Sequence, residues 1–341
     1  MAKAVDAPRD PLADLQRIAY LLERAHEATP RVKAFRTAAA IVEDMSAEEL
    51  VDRATKNTLT DLAGIGDTTS TVIRESLAGK VPAYLAKLEA ALPERKNPGR
   101  MQKALKGDLH MHSDWSDGGS PIEEMVTAAR DLGHDYVALT DHSPRLTVAR
   151  GLTAERLREQ LKVVQALNKK LAPFRILTGI EVDILEDGSL DQDEDLLAEL
   201  DVVVASVHSK LRMDAKQMTE RMVVAVANPN TDILGHCTGR LLAGRGRPES
   251  EFDAEMVFEA CKQFGTAVEI NSRPERLDPP RRLLALADEV GCMFSIDTDA
   301  HAPGQLEWQI NGIERAEEID LDPKRVINTR SADDLLELLA N

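Results

Sequence analysis

The sequence predicts an α/β fold, a parallel sheet most simply closed into a barrel, preceded by a small all-α domain. Three observations predict it. From Gly107 onward short β-rich runs alternate with longer amphipathic stretches, before it the apolar residues recur at helical spacing, and between them lies a seam of proline, glycine and basic residues. At 341 residues the chain has room for one barrel-sized domain and something smaller, at roughly 100–200 residues per domain, each able to bury a core.

In the first part Leu12, Leu15, Ile18 and Leu22 share one helical face, and Val32, Phe35, Ala39, Val42 and Met45 repeat the pattern after Pro30. Ser46 followed by Glu49 is a capping-box start for a third helix. The segment LPERKNPGRMQKALKGD (92–108) is the seam. The expected domains are therefore 1–95, all helical; 96–106, a linker; and 107–341, the barrel. In the last, strands are expected at KGDLHMH, YVALT, RILTGIEVDIL, DVVVASVH, TDILGH, TAVEIN and CMFSID, about seven β/α units in all.

Composition narrows the function. The net charge of −17 and the 11 aromatic residues argue against a general phosphate-backbone binder or a base-stacking platform. The charge is uneven, however: residues 1–106 carry +2 and residues 107–341 carry −19, so the two parts are open to different partners. Cys237, Cys261 and Cys292 are an odd, scattered set with no CxxC pair, so neither a disulfide framework nor a zinc ribbon is indicated. No apolar stretch reaches the roughly 18 residues of a membrane span, and the opening MAKAVDAPRD lacks a secretory core, so a soluble cytoplasmic protein is expected.

Six of the eight histidines fall at strand ends: His110, His112, His142, His208, His236 and His301. Strand C-termini converge on one face of a β/α barrel, so these side chains should meet, joined by Glu181, Asp299 and Asp117. Asp114 competes locally with Asp117, while His26 and His134 lie on expected helices and keep a structural role. Imidazole with carboxylate suits Zn²⁺, Mn²⁺ or Fe²⁺, and nine ligands exceed the needs of one ion, so a cluster of two or three is implied. Ions roughly 3.5–4 Å apart suit phosphoester hydrolysis. No Walker A loop or nucleophile elbow offers another chemistry. Arg273, Lys210 and Arg240 are candidate phosphate clamps and Arg145 a further one. Trp115 is read as a base stacker or as simple loop packing, and Cys237 as facing away.

At DLHMHSDWSDG, ALTDHS, GIEVDIL, ASVHS, ILGHCTGR, EINSRPERLD and DTDAH the chain resembles the polymerase and histidinol phosphatase (PHP) family, most of all the PHP domain of bacterial family X DNA polymerases. The resemblance implies a distorted (β/α)7 barrel that cleaves phosphoesters with up to three metal ions. By position, His110, His112, Glu181 and Asp299 would hold the first, Glu181 with His208 and His236 the second, and Asp117, His142 and His301 the third.

The first part also resembles that polymerase family's DNA-end-binding domain, with a helix-hairpin-helix at LTDLAGIGDTTSTVIRESL in which Gly64, Ile65, Gly66 and Thr68 would meet DNA. Glycines let backbone approach a phosphate, and amides at the next helix start donate to it. There is no room for the polymerase palm, so polymerisation is not expected. The implied function is a metal-dependent phosphoesterase acting on DNA ends, as a 3′-5′ exonuclease or 3′-phosphatase, by attack of a metal-bound hydroxide on phosphorus. The alternatives are a small-molecule phosphatase of the histidinol-phosphate type and a DNA-binding scaffold with a structural metal site.

Overall fold

A computed structural model of the protein describes residues 9–93 and 97–340, so the first eight residues and residues 94–96 of the expected seam lie outside the described residues. The chain divides into two compact units, Met1–Asn97 and Pro98–Asn341.

The first unit contains α1 (Pro11–Arg24), α2 (Thr29–Glu43), α3 (Ala47–Lys56), α4 (Asp67–Leu77) and α5 (Ala83–Ala90). Asp10 caps α1 by accepting from Leu12 N (2.9 Å), and Ser46 caps α3 by accepting from Glu49 N (3.2 Å). Leu15, Ile18, Leu22, Phe35, Ala39 and Val42 are buried in one core with Leu50, Leu59, Ile65, Val72, Ile73 and Leu85. The turn into α4 requires a glycine at position 64: its φ is 103°, and an added Cβ would lie 2.7 Å from Thr37 Cγ2 and 2.9 Å from Ile41 Cδ1.

The second unit begins with a correction to the expected linker. Within residues 98–106 a short helix forms, α6 (Arg100–Ala104), because Met101 is an apolar side chain that the barrel core buries and Met101 N donates to Glu317 Oε1 (3.2 Å). The elements that follow alternate: β1 (Gly107–Met111), α7 (Ile122–Asp131), β2 (Tyr136–Leu139), α8 (Ala154–Leu171), β3 (Arg175–Asp183), α9 (Glu194–Leu197), β4 (Val202–Ser206) and α10 (Ala215–Val226). Then come β5 (Ile233–Leu234), α11 (Ala254–Phe264), β6 (Ala267–Asn271), α12 (Arg281–Val290), β7 (Phe294–Asp297), α13 (Gln309–Glu318) and α14 (Ala332–Leu339).

The seven strands are parallel and pair in sequence order, with Tyr136 opposite Arg175, Gly179 opposite Val202 and Val268 opposite Phe294. Their residues are buried almost throughout, as strands covered on both faces must be. The outer strands approach each other too: Leu109 N donates to Asp297 Oδ1 (2.8 Å) and His112 N to Ala300 O (2.8 Å), so the sheet nearly closes into a (β/α)7 barrel. Register shifts between Asp108 and Met111, an irregularity that re-aims side chains at the first two histidines.

Candidate metal centre

Glu181 is the hub of the centre. Inside β3, it is 1 % exposed and faces five imidazoles. Its Oε1 lies 2.9 Å from His236 Nε2 and 3.2 Å from His208 Nε2, and its Oε2 lies 2.8 Å from His142 Nδ1, 3.4 Å from His110 Nε2 and 3.6 Å from His112 Nε2. His301 and Asp117 close the other side, with Asp117 Oδ1 3.2 Å from His301 Nε2 and 3.4 Å from His142 Nε2. Asp299 Oδ1 is 3.4 Å from His112 Nε2. Asp299 takes the left-handed conformation (φ 53°), which aspartate tolerates better than most residues and which turns DTDAH back toward the cluster. Asp114 is exposed, and its amide serves the loop by donating to Ser120 O (2.9 Å).

Buried imidazoles normally have hydrogen-bond partners for their ring nitrogens. Here His110 Nε2, both nitrogens of His112 and of His208, His142 Nδ1, His236 Nδ1 and Glu181 Oε2 are buried without one. His142 Nδ1 is close to Glu181 Oε2 but lacks the alignment of a hydrogen bond. Lone pairs pointing into a shared space, from residue types that bind divalent ions, fit a metal centre. Three overlapping sets have donor atoms within 4.8 Å of one another: His112, Asp117, His142 and His301; His110, His112 and Glu181; His142, Glu181 and His208.

Burial penalises charge at every one of these groups, and the neighbours decide the outcome. The Glu181 carboxyl is nonetheless held well below its ordinary range, because His208, His142 and His110 surround it. Against the same penalty Arg273 keeps Asp299 well below its range, and His301 keeps Asp117 low. Glu181 and Asp183 raise His208 to about 9, and Glu269 with Glu181 raises His110. At His112 burial wins, assisted by the like charges of His301 and His142, and the ring is pushed well below its ordinary value. A bound cation would therefore displace protons from His208 and His110, whereas the His112 ring is already held neutral.

The cationic residues separate. Arg273 is part of the cluster: its Nη1 donates to Asp299 O (3.1 Å) and lies 3.3 Å from Asp299 Oδ1. Lys210 is exposed beside His208. The Arg240 guanidinium donates to the carbonyls of Arg276 (2.9 Å) and Leu277 and so braces a loop. Arg145 is exposed with Asp191 at 3.8 Å. Trp115 packs against the barrel core, and the buried Cys237 thiol lies by Asp278 (3.8 Å).

In the first unit, Gly66 caps α4 and Thr68 is exposed in its first turn. The Ile65 side chain is in the core and its amide donates to Leu62 O (3.0 Å), so Ile65 shapes the hairpin and does not face outward.

Sequence reasoning missed the residues beneath the ligands. Glu269, fully buried in β6, lies 2.6 Å from His110 Nδ1 and accepts from His236 N (2.5 Å). Asn271 Nδ2 donates to Glu269 Oε2 (3.2 Å) and Asp299 Oδ2 (3.3 Å). Asp183 accepts from His208 N (3.1 Å), and Arg276 Nε stands 3.3 Å from Asp299 Oδ2. The available signal was an acid inside an otherwise apolar strand, in TAVEIN.

Residues 108–273 match the PHP domain model. The DNA polymerase/3′-5′ exonuclease PolX of Bacillus subtilis (strain 168) is 45% identical over 231 residues, 68% of this chain; the match spans only 40% of that relative's length. A probable phosphatase of Thermoanaerobacter sp. (strain X514) is 31% identical over 223 residues, 61% of this chain and 85% of the relative. Among solved structures, histidinol phosphate phosphatase from Lactococcus lactis, in complex with zinc, L-histidinol and phosphate, aligns with a TM-score of 0.45 and 17% identity over 64% of this chain and 94% of its own. A phosphatase-like relative matched over most of its length, on a barrel whose strand ends gather six histidines and three carboxylates, places this chain in the PHP family of metal-dependent phosphoesterases.

Proposed function

We propose that the protein hydrolyses phosphoesters at DNA ends, as a 3′-5′ exonuclease or 3′-phosphatase, with three divalent ions of zinc, manganese or iron. The observation that carries the metal chemistry is the set of orphaned ring nitrogens around Glu181. DNA as substrate is supported by the 45% identity to a polymerase and exonuclease and by the glycine hairpin before α4.

In this reading His110, His112, Glu181 and Asp299 hold one ion, Glu181 with His208 and His236 a second, and Asp117, His142 and His301 a third. Bound divalent ions supply Lewis acidity and lower the pKa of water to about 7. The chain's own residues position and balance charge. Glu269 accepts from His110 Nδ1 and thereby leaves Nε2 free for a ligand bond. Arg273 fixes Asp299 and adds positive charge beside His301, where a phosphate oxygen would gain from it. Lys210 is the exposed cation for the same oxygens. In the first unit the amides at the start of α4, with Thr68 beside them, form the site for a DNA phosphate.

The second reading, a small-molecule phosphatase, is favoured by the likeness to probable phosphatases over most of their length. Purified protein loaded with Mn²⁺ or Zn²⁺ should be given a labelled 3′-recessed duplex and a small phosphomonoester in parallel. Release of single nucleotides or of a 3′ phosphate from the duplex supports the proposal. Turnover of the small ester alone supports the second reading.

A further inference from the structure

Two neighbouring rim loops carry exposed cations, of which Lys210 is the one assigned above to the reacting phosphate. Lys210 and Arg212 lie between β4 and α10, and Arg245 lies at the tip of a short hairpin between β5 and α11, where Leu241 and Arg247 bridge antiparallel. All three are exposed, and among the described residues none has an acidic partner within ion-pair distance. Some other exposed cations of the barrel are paired, as Lys170 is with Glu123 (2.5 Å) and Arg175 with Asp333 (2.8 Å), whereas Arg158, Lys162 and Lys169 on α8 have no acidic partner within ion-pair distance among the described residues.

The two loops form one surface. Ser250 Oγ donates to Leu211 O (2.9 Å), and a Cβ added at Gly239 would lie 2.7 Å from Leu211 Cδ2. Both loops also start at the cluster, one at His208 and the other at His236. Gly244 and Gly246, each at φ 67°, turn the hairpin tip outward and leave Leu242 55% exposed. In a part of the chain with a net charge of −19, this is a local reversal of sign beside the metal ligands.

We propose that this ridge binds the phosphodiester backbone of the polynucleotide whose end enters the metal centre. Arg212 and Arg245 contact phosphates beyond the reacting one, and Leu242 packs against a base or sugar. The inference rests on the reading of a phosphoesterase at DNA ends and extends it from the reacting phosphate to the strand behind it. A small phosphomonoester has its only phosphate at the ligands and presents nothing to Arg212 or Arg245, whereas a strand carries a charge per nucleotide outward.

The test compares the full-length Arg212→Ala/Arg245→Ala variant with the wild type in two assays. One is anisotropy of a labelled oligonucleotide with a single-stranded 3′ end across a salt series. The other is Mn²⁺-supported hydrolysis of that oligonucleotide and of p-nitrophenyl phosphate. The ridge predicts roughly tenfold weaker oligonucleotide binding and a log–log salt slope shallower by about 1.4, two single-strand contacts at about 0.7 each. It also predicts a higher KM for the oligonucleotide and unchanged kinetics on the small ester. Unchanged oligonucleotide affinity and slope, with the wild type degrading DNA, overturns the ridge alone. Equal losses on both substrates also overturn it, because the loops would then be supporting the centre itself. If the wild type turns over the small ester and leaves the oligonucleotide intact, the DNA reading fails and takes the ridge with it.

Discussion

Glu269 Oε1 stands 2.6 Å from His110 Nδ1, and both side chains are fully buried. A carboxylate in this position holds the histidine in the tautomer whose other nitrogen is free, and raises its basicity as a ligand. Glu269→Gln should keep the fold and weaken metal affinity by roughly 10–100-fold, the range for lost ligand-supporting hydrogen bonds. Metal titration followed by elemental analysis checks this; unaltered affinity would leave Glu269 as packing only.

Arg240 should matter for stability more than for phosphate binding. Its removal leaves the Arg276 and Leu277 carbonyls without their donor, at a cost of about 1–3 kcal/mol. Arg240→Ala should therefore lower the melting temperature by several degrees, at roughly 2–4 °C per kcal/mol in a domain of this size. A melting curve unchanged from wild type would contradict the bracing role.

Asp232 gives a pH dependence away from the metal centre. Burial pushes its carboxyl up to about 7, with Asp201 adding to the shift, although Val203 N donates to it at 2.7 Å. The folded pKa is thus above the unfolded value of about 3.9, so its stabilising contribution is complete below pH ~4 and is lost as pH rises through about 7. Relative to Asp232→Asn, the wild type should lose stability between pH 4 and 8, read from urea midpoints of the metal-free protein. A constant difference across that range would show that Asp232 ionises as it does in the unfolded chain.

A substitution at Thr68 would separate stability from the DNA binding proposed for the first unit. Thr68→Glu puts a carboxylate in the first turn of α4, where the helix dipole welcomes it by about 0.3–1 kcal/mol. The same charge opposes a DNA phosphate at those amides. The variant should melt no lower than wild type and bind a labelled DNA end more weakly; equal DNA affinity would remove α4 from the interface.

The barrel was legible in the sequence because parallel strands buried on both faces leave nearly continuous apolar runs, as in DVVVASVH. The six strand-end histidines were legible for the same reason, since polar residues closing apolar runs stand out. The bracing contacts of Arg240 were not legible because spacing places a residue on a loop without saying which carbonyls its guanidinium will meet. Glu269 was passed over because a single acid in a strand has no local partner, and His110 lies 159 residues away in the chain. The helix at Arg100–Ala104 escaped because one buried methionine, Met101, outweighs the proline and glycine around it.

The central claim is that phosphoester cleavage occurs at the ions held around Glu181. The most direct test is ion content and hydrolysis of a labelled DNA 3′ end by wild type, His110→Ala and His208→Ala, each stripped of metal and reloaded with Mn²⁺. Both variants should bind fewer ions and lose most of the activity that the wild type regains. Full ion content with full cleavage in both would contradict the account.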